Sequence, residues 1–159
     1  MSKKFNEEDF KKSLEGKSVE ELRKIEAQVI KECEKIDKEV SETEFDMPVE
    51  NYSDVAKAIK YFLDKQTVQW QYTLGMVSMY DFWTENRPEK IPYAQLDSVL
   101  RTIGNLQFTG YKEWAMVVVI NKYFEPLREA YSDVTQRIYD AATKHNIVMG
   151  ALSLDEKID

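Results

Sequence analysis

Residues Glu113–Leu127 read EWAMVVVINKYFEPL, and how this stretch folds decides the class of the chain. Seven apolar residues, Trp114 to Ile120, precede a polar pair, two aromatics and Pro126. Taken alone, so short a run fits a buried strand or a buried helix equally well. The residues downstream separate the two. Val117, Ile120, Phe124, Leu127, Tyr131, Val134, Ile138 and Ala141 step by three and four, and the register passes through Pro126 without a slip. A strand alternates with period two, and separate elements need not share a phase. One helix from about residue 110 to 145, kinked near Pro126, is therefore expected. A proline in a helix interior costs about 3 kcal/mol. Burial of each Val or Ile contributes roughly 1.5–3 kcal/mol, so packing outweighs the break.

Working outward, Thr109 is a cap for this helix, and Gly104 is a stop for the helix before it. A shorter helix is expected over 93–103, with Leu96, Val99, Leu100 and Ile103 inward and Pro92 at its start. Before it, a long helix is expected over 54–84, capped by Ser53 or Asp54. One of its stripes is Val55, Ile59, Phe62, Leu63, Trp70, Leu74, Val77 and Tyr80; another is Tyr61, Val68, Tyr72, Met76, Met79 and Trp83. From Val68 on, apolar residues lie nearly all round, the pattern of a helix covered on every side by its own fold or by another chain. The segments around Pro48 and Pro88 read as loops.

At the N-terminal end, residues 6–15 form a short helix stopped by Gly16. SVEE, Ser18 to Glu21, has the capping-box spacing. The helix it opens, 19–42, carries Val19, Leu22, Ile25, Val29, Cys33, Ile36 and Val40 on one face and dense Glu/Lys on the other. The expected fold is all-α, an irregular four-helix bundle with a charged N-terminal helix free to project. Residues 1–51 hold three aromatics, Phe5, Phe10 and Phe45, of the chain's nineteen. They read as a charged helical arm, and 52–159 as an aromatic-rich helical body within one domain overall.

The 159 residues carry a net charge of -7, against a basic nucleic-acid footprint. The one cysteine, Cys33, forbids an intrachain disulfide and points to a reducing compartment. The first twelve residues lack a secretory h-region, and no apolar run is long enough to span a bilayer. A cytoplasmic location is expected, or a virion for a viral protein.

One histidine, His145, and one cysteine exclude zinc sites built from those ligands, and the di-iron bundle that needs two Glu-x-x-His motifs. Phosphate-cradling glycine loops and G-x-S-x-G are missing. His145 continues the last helix's register and reads as a helix-end residue. The remaining enzyme option is a carboxylate-only Mg²⁺ site. All-helical nucleotide pyrophosphohydrolases pair an E-x-x-E with a later E-x-x-D on the next helix. Here one E-x-x-D, Glu34 to Asp37, precedes the E-x-x-E, Glu39 to Glu42, and none lies on the next expected helix, 54–84, so the pattern is not met.

The chain is accordingly expected to be non-enzymatic, with no cofactor or metal. It reads as a structural or assembly protein working through helical protein–protein surfaces, in an oligomer or larger complex. A small virion or assembly component of a tailed bacteriophage suits this profile. The partners are copies of itself or other assembly proteins, not nucleic acid or membrane. The alternative is an acidic helical regulator that inhibits a partner protein. Candidate partner-binding residues are Tyr72, Met76, Met79, Tyr80 and Trp83, and on the N-terminal helix Leu22, Val29 and Ile36, because aromatics and Met are enriched at interfaces.

Overall fold

The computed structural model describes residues 4–65, 70–81 and 89–156. They are almost entirely helical, in the order α1 (Glu7–Leu14), α2 (Val19–Ser41), β1 (Glu44–Asp46), α3 (Tyr52–Lys65), α4 (Trp70–Asp81), β2 (Lys90–Pro92), α5 (Tyr93–Gly104) and α6 (Gly110–Glu156). The chain is all-α, and the deciding stretch is helical: α6 continues through Pro126 and on to Glu156. Two compact units are formed, a split unit of Met1–Val40 with Asp133–Asp159 and a contiguous unit of Ser41–Ser132. This division differs from an arm and body meeting at residue 51.

In the split unit, α1 opens on Asn6, whose Oδ1 accepts from the Asp9 N–H at 3.1 Å. The capping box at α2 closes in both directions. The Glu21 N–H donates to Ser18 Oγ at 3.2 Å, and the Ser18 N–H donates to Glu21 Oε2 at 2.9 Å. That second bond holds the Glu21 carboxyl below its ordinary range. α2 runs antiparallel to the downstream part of α6. Glu39 meets Arg137, the Cys33 thiol donates to the Ala141 carbonyl at 3.6 Å, and Lys144 reaches Glu32 at 3.3 Å. Leu14, Leu22, Val29, Val148 and Leu152 form the core, with Phe10, Ile25 and Ile147 against it. The N-terminal helix expected to project therefore has its apolar stripe covered. The reason lies in α6, whose register continues past His145 and supplies the complementary stripe.

In the contiguous unit, residues expected in one helix over 54–84 form two, α3 and α4. α4 packs on both α3 and α5. α3 is strongly amphipathic and buries Val55, Ala58, Ile59 and Phe62, whereas α4 is scarcely amphipathic. The change of sequence pattern at Val68 falls between these two helices. Two segments expected as loops hold strands. β1 and β2 pair antiparallel, with Phe45 opposite Ile91, and the Met47 N–H and Tyr93 N–H extend the ladder onto Glu89 and Thr43. Phe45 and Ile91 both point inward and are buried. α3 begins at Tyr52, after Asn51 at φ 61°, two residues before the expected cap. α5 matches its expected span closely, with Leu96, Val99, Leu100 and Ile103 all buried. Tyr93 stacks on Tyr131 at 5.6 Å, and the Tyr131 hydroxyl donates to Asp97 at 2.6 Å. Ile120, Phe124 and Leu127 of α6 complete this core, and the Tyr123 hydroxyl donates to the Pro48 carbonyl at 2.7 Å.

Candidate functional site

α4 is the least ordinary surface of the contiguous unit. From Trp70 to Tyr80 it carries no charged residue, in a chain that is 32% charged. Gly75 faces α5, where an added Cβ would meet Thr102 Oγ1 at 3.0 Å. On the side of the helix away from Gly75 lie Trp70, Leu74 and Val77, at i, i+4 and i+7. Trp70 is 86% exposed, Leu74 81% and Val77 41%. These three were read as the continuation of α3's inward stripe. The structure places them outward, because a second helix has its own phase and turns a different arc to the core.

The predicted partner-binding residues divide into three groups. Leu22 and Val29 are 1% and 5% exposed, covered within the split unit, and Ile36 is half-buried there. Leu22 and Val29 belong to that unit's core, and Ile36 lines a cleft on it. Tyr80 is half-buried on α4. Trp83 and the side chains of Tyr72, Met76 and Met79 lie outside the described residues.

A second surface was not anticipated. At the start of α6 the Glu113 carboxylate is buried. Its Oε2 accepts from the Thr109 N–H at 2.8 Å, and its Oε1 accepts a long bond, 3.3 Å, from the Tyr61 hydroxyl. Lys65 Nζ stands 3.7 Å from Oε1. The Thr109 N–H, followed by Lys65, holds this carboxyl below its ordinary range. Lys65 and Lys112 lie 4.8 and 5.0 Å from the Tyr61 ring centroid, within cation–π distance. These contacts clasp α3 to α6. Beside the clasp a trough of about 460 Å³ lies between the helices, with the small residues Ala58 and Ala115 in its lining. Met116 and Val119 line it, Tyr111 forms one wall, and Lys57, Lys112 and Asp54 stand around it. The sequence did carry a signal for this surface. Residues 114–120 hold more apolar side chains than one buried stripe needs, and of them Trp114 and Val119 are exposed.

The remaining chemical candidates are dispersed. His145 is half-buried on α6. Burial pushes the Cys33 thiol up, opposite to what a reactive thiolate requires. Glu39 of the E-x-x-E pair is engaged by Arg137, while Glu42 is exposed past the end of α2. Among the described residues no three His, Cys, Asp or Glu side chains are grouped to hold a metal ion. No described helix is long and apolar enough to cross a membrane. Comparison with family models, curated proteins and solved structures gives no match.

Proposed function

We propose that this chain is a non-enzymatic structural or assembly protein that works through helical protein–protein surfaces, and that α4 is its principal contact. The observation that supports this is the uncharged, outward stripe of Trp70, Leu74 and Val77. Singly exposed apolar residues are ordinary, but an aromatic and two aliphatics aligned on one helix face mark an interaction surface. Covering a Leu contributes roughly 1.5–3 kcal/mol, and Trp is the residue type most often found as an interface hot spot. A second copy suits the stripe. Copies with a net charge of -7 repel elsewhere, and the uncharged run from Trp70 to Tyr80 is where that repulsion is weakest. A small virion or assembly component of a tailed bacteriophage, in the virion or the host cytoplasm, is the setting we propose.

Light scattering during size exclusion, over a range of concentrations, tests the reading. The expected result is an oligomer that Leu74→Asp converts to a monomer with an unchanged circular dichroism spectrum. Exposure of Leu74 means the substitution leaves the core intact. A wild-type chain that stays monomeric at every concentration defeats the self-assembly reading and favours a regulator that captures one partner.

A further inference from the structure

We infer that the trough between α3 and α6 is a docking site for one amphipathic helix of a partner protein, with acidic residues flanking its apolar face. The trough is separate from the α4 stripe and goes beyond the assembly role proposed for it. Its lining is largely apolar, and two of the lining residues, Ala58 and Ala115, are small and leave room. Tyr111 is 80% exposed at its wall and lies 5.8 Å, centroid to centroid, from the half-exposed Trp114. An aromatic wall beside a trough flanked by two helices suits the helix-in-groove mode, in which side chains at i, i+3 or i+4, and i+7 enter the seam. The short β1–β2 ladder belongs to the buried Phe45–Ile91 pair and offers no comparable site for an added strand.

Charge selects the kind of helix. The acidic chain places two lysines, Lys57 and Lys112, at the trough. Glu113 does not neutralise Lys112, because its carboxylate is committed to the Thr109 N–H, the Tyr61 hydroxyl and Lys65. Lys112 instead rests over the Tyr61 ring. Asp54 is the one carboxylate among the lining residues, and it lies in the first turn of α3, where the helix dipole favours it. An apolar seam with two available ammonium groups fits a ligand that is apolar on one side and carboxylate-bearing along its flanks. An anionic amphiphile such as a fatty acid shares that chemistry. A cleft that binds a small molecule usually encloses most of it, and a trough open along the helices suits a rod-shaped occupant better.

The test is selection of a displayed library of helical peptides on the full chain, followed by fluorescence anisotropy of the selected peptides. Expected are sequences with apolar residues at helical spacing flanked by Asp or Glu. Their affinity should fall about tenfold or more with Lys57→Glu plus Lys112→Glu, and should partly return when the peptide's acids are changed to lysine. Lys57 and Lys112 are exposed, so both variants should fold, and circular dichroism checks this. Leu74→Asp should leave peptide binding unchanged, which separates this site from the α4 stripe. Three results overturn the proposal. One is selected peptides without acidic flanks. Another is binding indifferent to the lysine reversals. The last is saturable dodecanoate binding, lost in the lysine variants, with no peptide selected.

Discussion

At Gly75 α4 lies close against α5, and one missing methyl group permits it. A Cβ there would sit 3.0 Å from Thr102 Oγ1 and 3.5 Å from Ser98 Oγ. Thr102 cannot simply swing aside, since its hydroxyl donates to the Ser98 carbonyl at 2.7 Å and its side chain is buried. Glycine in a helix interior is about 0.8–1.0 kcal/mol worse than alanine, so the close approach offsets that loss. Gly75→Ala should therefore gain little in the wild-type chain. In a Thr102→Ala background the same change should stabilise by about 1 kcal/mol more, as neighbouring sites couple. Urea unfolding of the four chains checks this, and equal effects in both backgrounds would show that the approach is not limiting. Glu113 supplies a pH prediction. Its folded-state pKa lies below the ordinary value of 4.5, so its contribution is fully present above that value. It is lost as pH falls through the lower folded-state value. Against Glu113→Gln, the wild-type advantage in thermal midpoint should be constant above about pH 5 and should close on further acidification.

Among the elements, α6 carries an exposed proline in its interior. Pro126 removes one backbone hydrogen bond yet buries no side chain of its own. Pro126→Ala should stabilise the chain by up to about 3 kcal/mol, read as a higher urea midpoint with an unchanged slope. A loss of stability would mean that the core around Phe124 and Leu127 depends on the proline's geometry. α6 was also the element most legible from sequence, because a register sustained over seven steps admits one period only. The α2 capping box and the inward face of α5 were legible for the same reason: each is set by residues close in sequence. α4 was misread because hydrophobic spacing alone does not show that one helix has ended and another, turned differently to the core, has begun. β1 and β2 escaped because three-residue strands show too little alternation to detect. The trough was only partly legible: the surplus of apolar residues over 114–120 pointed to it, but its lining joins α3 to α6, more than 50 residues apart, which no local pattern contains.

For the whole molecule, charge and composition set limits on chemistry but named no partner. The surfaces proposed to meet partners, at α4 and at the α3–α6 seam, both belong to the contiguous unit. The split unit is different in kind, since each half of it closes the core of the other. Cys33 and Ala141 are 108 residues apart, and Lys144 is 112 residues from Glu32. At a synthesis rate of about 5–20 residues per second, α2 leaves the ribosome roughly 5–20 seconds before its partner strip exists. Ser41–Ser132 is contiguous in sequence, so it can fold meanwhile. Over that interval Leu22, Ile25 and Val29 form a nascent greasy ribbon with nowhere native to go. Slower translation lengthens that exposure, and a chaperone that covers the ribbon is expected to raise the share of chains that reach their finished form.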